Sequence, residues 1–374
     1  MREGWKYQKL GELVKVINGL WVGKKPPFTN VAVVRNANFT KSCTLDMSNI
    51  AYIDVEEKQF NTRELQYADI IIEKSGGSEK QPVGRPVFFN IKDRGYSFSN
   101  FTATLRVVSS DIVPEYLYKV LLAQYKQGVT KRLQSKTTGL HNLDFKSYLK
   151  SVIPIPSCEK QLSIVSELDK INELIRLKKE QLEDYDNLAQ SIFYEMFGDP
   201  VVNEKGWEVK KFADLYKLKS GDSLSAKNFV EGEIPVYGGN GISGYHNDFN
   251  MDGDFIIIGR VGVYCGNVRE VHGKFWLTDN AFQLFYNREI QYPCFIHYLL
   301  EILDLHQYAN AAAQPVISNL TLKDVEIIIP PLPLQQLFAQ GIELIEQQKA
   351  EIQSTIADLE TLLASRMQYW FFGF

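Results

Sequence analysis

The side chains here that could do chemistry are mainly cations, amides and phenols, and the combinations that catalysis needs are missing. Gly19-Leu20-Trp21-Val22-Gly23-Lys24-Lys25 has three residues between its glycines, one short of a phosphate-binding loop. No Asn-Pro-Pro-aromatic tetrapeptide offers an amino group for methyl transfer. No His-Glu-x-x-His, Gly-x-Ser-x-Gly or paired-carboxylate nuclease motif occurs. His141, His246, His272, His297 and His306 are scattered and read as structural or surface residues rather than ligands. The chain reads as non-catalytic, with no metal or cofactor site of its own.

Three features point to a nucleic-acid partner instead. From Tyr116 to Leu143 the sequence carries Lys119, Lys126, Lys131, Arg132 and Lys136 with no Asp or Glu, enough to neutralise several phosphates; a solvated helix face is the bland alternative. Tyr237-Gly238-Gly239-Asn240-Gly241-Ile242-Ser243-Gly244-Tyr245 is a glycine-rich loop bracketed by tyrosines. Its backbone can approach a ligand closely and its amide and hydroxyls can reach bases or phosphates, although a tight structural turn would look similar. Cations follow two triple-isoleucine runs at matching places: Lys74 in Glu73-Lys74-Ser75-Gly76-Gly77, and Arg260 in Gly259-Arg260-Val261-Gly262. Arginine reads guanine bidentately, whereas lysine acts as a point charge, so the two sites suit different sequences. Asn100 and Asn280 also correspond by eye, or are turn formers.

The elements that would position these residues come twice. Gly4-Trp5-Lys6-Tyr7-Gln8-Lys9-Leu10-Gly11-Glu12-Leu13 returns 202 residues later as Gly206-Trp207-Glu208-Val209-Lys210-Lys211-Phe212-Ala213-Asp214-Leu215. A repeat of this length is a duplicated domain rather than a solenoid. Each copy has short β-rich runs, a helix (Pro114 to Tyr125; Tyr292 to Leu305), and a proline-marked exit at Ile153-Pro154-Ile155-Pro156 or Ile329-Pro330-Pro331-Leu332-Pro333.

A long helical pattern follows each exit, from Gln161 to Phe197 and from Gln336 to Phe372. Ile164, Leu168, Ile171, Ile175, Lys178, Leu182, Tyr185, Ala189, Ile192 and Met196 alternate spacings of four and three. So do Ile342, Ile345, Lys349, Ile352, Ile356, Leu359 and Leu363. That spacing predicts a coiled-coil seam with one lysine in each helix to fix register, though each helix could instead pack on its own domain. Each rod would span roughly 50–55 Å.

Composition bounds the partners. The 374 residues suffice for two domains, and a net charge of -4 confines any DNA contact to local basic faces. Cys43, Cys158, Cys265 and Cys294 form no CxxC pair, which favours a reducing cytoplasm. Neither a signal peptide nor a membrane-spanning run is evident. The expectation is a soluble, cytoplasmic protein.

Taken together, this layout resembles the specificity subunit of type I restriction–modification systems. Tyr237 to Tyr245 is similar to a loop of that family's recognition domains, and Ile72-Glu73-Lys74-Ser75-Gly76-Gly77 continuing to Pro82-Val83-Gly84-Arg85 resembles a variant of it. The exits match as well: Thr138-Gly139-Leu140-His141-Asn142-Leu143 leading to Gln161, and Ala313-Gln314-Pro315-Val316-Ile317-Ser318 leading to Gln336.

The resemblance implies an α+β chain of two mixed α/β target-recognition domains separated by two long helices pairing as an antiparallel coiled coil. Recognition domains are expected at residues 1–156 and 201–333, and spacer helices at 157–200 and 334–374. It further implies that the subunit binds double-stranded DNA without an active site, each domain reading half of an asymmetric bipartite target. Two modification subunits would supply S-adenosylmethionine and adenine methylation; two restriction subunits, where present, would add ATP- and Mg-dependent translocation and cleavage. Outer helix positions such as Leu174, Leu177 and Leu188 suit a partner. Base contacts do not transfer between such divergent domains, so the nominated DNA-binding residues are Lys74, Arg85, Lys131 and Arg132 in the first, and Tyr237, Asn240, Tyr245 and Arg260 in the second. The alternatives are a DNA-recognition fragment of a fused restriction–methylation enzyme and a coiled-coil adaptor for proteins.

Overall fold

A computed structural model describes all residues except Met1, Val22, Lys24, Lys80, Thr138, Gly139, 311–313 and Phe374, together with the backbone but not the side chains of Lys136 and Thr137. Lys24, part of both exit motifs and the Lys136 side chain therefore lie outside the described residues. Two compact units divide the chain: Met1–Leu177 with Ile356–Phe374, and Lys178–Thr355.

In the first unit the buried run Ile70–Glu73 is a central strand of a four-stranded antiparallel sheet, ordered Val14–Asn18, Thr102–Val107, Ile70–Glu73, Pro86–Phe88. Ile70, Ile71 and Ile72 are all fully buried, which is why this strand reads as continuous isoleucine instead of alternating. A second sheet, Ala51–Glu56, Phe28–Val34 and Tyr96–Phe98, packs Val34 and Phe98 with Ile71 and Val87 into a core. A third pairs the hairpin Gln134–Thr137/Leu140–Leu143 with Ser75–Gly77.

The second unit holds one six-stranded sheet, ordered Lys217–Ser220, Ala281–Phe285, Met251–Gly259, Val268–Leu277, Ile234–Gly238, Gly241–His246. Its central Ile256, Ile257 and Ile258 are again buried. The entry repeat is structural too. Lys6–Lys9 pairs with Val152–Ile155 and Glu208–Lys211 with Glu326–Ile329, each followed by one short helical turn.

The long helices are continuous at Cys158–Phe197 and Leu332–Phe372, 40 and 41 residues. Each gives one stretch to each unit. In the first unit Glu167 pairs with Arg366 and accepts from Trp370 Nε1 at 3.0 Å. In the second unit Lys349 of the second long helix reaches Asp186 of the first at 2.8 Å and Glu346 on its own helix at 2.7 Å.

The apolar stripe departs from its expected phase at one end. Phe193 and Phe197, not Ile192 and Met196, are fully buried. They join Phe295 and Phe338 in an aromatic cluster with Phe197–Phe295 centroids 4.8 Å apart, Phe193–Phe295 5.8 Å apart and Phe193–Phe338 5.7 Å apart. Each such aromatic pair contributes about 0.5–1.5 kcal/mol beyond the area it buries, so the phenylalanines take the interior beside Phe295 and Phe338. No helix among the described residues is long and apolar enough to cross a membrane.

Candidate nucleic-acid interface

Both units end their isoleucine strand in a cation, and the strand ladders show that the two cations are equivalent. Glu73 pairs with Thr102 and Gly259 with Ala281, so Lys74 and Arg260 follow at the same point. Each cation touches the polar residue that ends the strand next but one in its sheet. Lys74 Nζ donates to Asn18 Oδ1 at 2.9 Å, and Arg260 Nη1 donates to Ser220 Oγ at 3.2 Å. The chain then turns the same way, with Leu20 N–H donating to Phe98 O and Asp222 N–H to Leu277 O.

This register corrects one expected match. Lys74 N–H donates to Phe101 O and Arg260 N–H to Asn280 O, so Asn280 is equivalent to Phe101 and Asn100 to Asp279. Shared asparagine identity misled by one position.

The two cations differ physically. Burial alone lowers the affinity of the Lys74 amine for its proton. The Arg260 guanidinium lies over the Phe282 ring, 5.4 Å from its centroid, with Nη1 also donating to Asp279 O at 3.3 Å. Among the described residues its Nε and Nη2 have no hydrogen-bond partner. It is a braced fork, suited to bidentate contact.

Arg85 is a correction. Its side chain is about 4% exposed; Nε meets Glu73 Oε2 at 3.2 Å and Nη1 donates to Phe39 O at 3.0 Å and Thr40 O at 3.3 Å. It therefore braces the Glu73–Lys74 turn from inside instead of presenting its guanidinium at the surface. Asn36 completes the brace, its Nδ2 donating to Glu73 Oε1 at 3.0 Å and Ser75 O at 2.8 Å. Burial outweighs the Arg85 charge and leaves the Glu73 carboxyl above its ordinary range.

Lys131 and Arg132 are exposed on the turn Thr130–Leu133, which leads into the hairpin stitched to Ser75–Gly77. The stitching includes Leu143 N–H to Lys74 O at 2.9 Å, bringing the basic turn into one assembly with the Lys74 strand end. Lys119, from the same acid-free run, is buried in an ion pair with Asp169 of the first long helix, so it is structural.

In the second unit the glycine-rich loop is packed onto the Arg260 strand end. A Cβ on Gly239 would sit 2.8 Å from Val261 O and 3.0 Å from Asn280 O. Gly239→Ala is therefore expected to cost about 1–3 kcal/mol by overpacking against backbone that cannot swing away, read as a lower urea midpoint. Asn240 is exposed on the turn beside it. Tyr245 is exposed but lies four residues along its strand from Gly241, ~13 Å away. Tyr237 is half-buried, its ring against Phe275 with centroids 5.5 Å apart.

Sequence reading missed Asn18, Ser220 and Arg269, whose guanidinium lies against Gly241. Only the ladder register singles out the first two. Arg269 borders a groove of about 1460 Å³ whose walls include Asp186, Glu270, Glu301, Glu343 and Glu346. The same walls carry Arg269, Lys349, His272 and His297, so acids and bases share the groove.

His297 in that groove lies 3.5 Å from Glu270 and 3.7 Å from Glu301. Burial disfavours its cation, but the hydrogen bonds and charges of the two glutamates prevail and raise it to about 9. A raised histidine stabilises the fold fully below its unfolded value, near 6.5, and the contribution is lost as pH rises through about 9. Urea midpoints should fall between these limits by a stability of order 1–3 kcal/mol, and His297→Gln should abolish the difference.

Comparison with known proteins agrees with this duplicated architecture. The sequence profile for the type I restriction modification DNA specificity domain matches residues 2–184 and again 204–360. The chain belongs to that family. It carries two DNA-recognition domains of the type I specificity kind, in a mixed α/β fold. Among its relatives, the specificity subunit of the Escherichia coli type I restriction enzyme EcoprrI is 29% identical over 220 residues, covering 54% of this chain and 54% of that protein. The aligned region thus spans about half the length of that relative. The S subunit of the type I system from M. genitalium aligns over 97% of this chain and 95% of its own at TM-score 0.57 and 15% identity. A chain from a structural study of assembly and conformational transition of the type I R-M system aligns over 99% and 98% at TM-score 0.63 and 17% identity. At these identities the structural likeness speaks for the fold.

Proposed function

We propose that this chain is the non-catalytic, DNA-reading subunit of a cytoplasmic type I restriction–modification complex. Residues 1–156 and 201–333 read the two halves of an asymmetric bipartite target in double-stranded DNA. The long helices pair as an antiparallel coiled coil, set the spacing and dock two methyltransferase subunits, which hold S-adenosylmethionine. Restriction subunits, where they join, bring ATP and Mg.

One observation carries the reading. Equivalent strand ends present a braced cation in both units, yet the pair is Lys74–Asn18 in one and Arg260–Ser220 in the other. Identical heads would read a symmetric site; unlike heads suit an asymmetric one. The contacts Glu167–Arg366 and Asp186–Lys349 support antiparallel pairing, because the partner number falls as the first rises. Exposed Leu174, Leu177 and Leu188 supply apolar surface for the docked subunits.

Titrating the assembled complex onto target DNA tests the reading. If six or more phosphates are neutralised, affinity should fall about a thousandfold or more between ~50 and ~200 mM salt. The chain alone should transfer no methyl group. Methylation without added subunits, or no affinity at any salt, would contradict it.

A further inference from the structure

The recognition part of each unit is tied to the long helix that follows it by a buried glutamine, and the two glutamines make the same three hydrogen bonds. Gln161 Oε1 accepts from Val113 N–H at 2.8 Å, while Nε2 donates to Asp111 O at 2.8 Å and Pro156 O at 3.0 Å. Gln335 Oε1 accepts from Tyr292 N–H at 2.8 Å, while Nε2 donates to Ile290 O at 3.1 Å and Pro330 O at 2.7 Å. Both side chains are fully buried. The pattern is positional: the residue capping the domain helix, the residue two before it, and the proline five before the glutamine. Gln335, not the neighbouring Gln336 that the sequence suggests, is the counterpart of Gln161.

We infer that Gln161 and Gln335 are positioning residues that fix the angle between each recognition domain and its own long helix, and thereby the gap between the half-targets. The inference rests on the bipartite reading proposed above. Each amide uses both N–H bonds and its carbonyl, so three backbone segments converge on one rigid group. Val113 and Tyr292 cap the helices that begin at Pro114 and Pro293. Pro156 and Pro330 are the stiff exits. Only a carboxamide satisfies the set. Glutamate would put an acceptor oxygen in place of Nε2, facing two carbonyls, and methionine would leave one amide and two carbonyls unsatisfied. Lys74 and Arg260 make none of these bonds, so base preference and domain angle are separable.

The test compares wild type with Gln161→Glu, Gln335→Glu and the corresponding methionine variants, each assembled with its methyltransferase subunits. The substrates are duplexes with the mapped half-targets and the gap unchanged, shortened or lengthened by one base pair. The ratio of methylation at the native gap to that at altered gaps should fall about tenfold in each variant, with base preference inside both halves retained. An unchanged ratio in assembled variants overturns the inference while leaving the bipartite reading intact; a wild type indifferent to gap overturns both. If no variant assembles, amide exchange in the wild-type complex decides. Val113 and Tyr292 N–H should be protected like the cores of the long helices, and loop-like exchange would overturn the inference.

Discussion

Replacing Arg260 with alanine is expected to relax base discrimination in one half of the target and leave the other half as it was. A bidentate arginine contributes about 1–3 kcal/mol of discrimination against a wrong base, or roughly 5- to 150-fold. The brace from Ser220 Oγ, Asp279 O and the Phe282 ring orders the guanidinium beforehand, so little side-chain entropy is lost on binding. Arg260→Lys should recover affinity but not discrimination, since an ammonium is a point charge. Lys74→Ala should weaken binding with little change in base preference. Methylation rates on duplexes substituted one base at a time give the answer. Equal losses in both halves would contradict independent reading heads.

The second large effect concerns stability. Arg85→Met should destabilise the first unit by about 3–5 kcal/mol, because it strands Glu73 as a buried carboxylate. Adding Glu73→Gln should restore much of the loss, since the remaining amide is neutral. Lys131→Ala, on the exposed turn, should leave the urea midpoint within ~0.5 kcal/mol of wild type. These three urea titrations of the full chain separate an internal brace from a ligand contact. A mild Arg85→Met phenotype would return Arg85 to the reading surface.

Patterns local in sequence were legible, and partners distant in sequence were not. Ile70–Ile72 and Ile256–Ile258 announce strands buried on both faces, and the residue after each run is correctly matched because strand and cation are contiguous. Asn100 and Asn280 were matched on identity, whereas equivalence is set by ladder hydrogen bonds to Phe101 O and Asn280 O. Arg85 looked available because Phe39 and Thr40, which receive its Nη1, lie more than forty residues away. Lys119 seemed part of a basic face for the same reason, its partner Asp169 being on another helix. At the end of the first long helix the heptad count favoured Ile192 and Met196, but Phe295 and Phe338 draw Phe193 and Phe197 inward. The bracing glutamines sit in the first turns of the long helices, and their role was not legible because an amide's burial is decided by the carbonyls that surround it.

The central claim is that two unlike reading heads on one chain address one DNA. Sequencing every methylated adenine in DNA exposed to this chain and its methyltransferase subunits tests it most directly. The account predicts a single asymmetric motif in two parts separated by a constant unspecified gap. A contiguous or palindromic motif, or two parts with a variable gap, would contradict it.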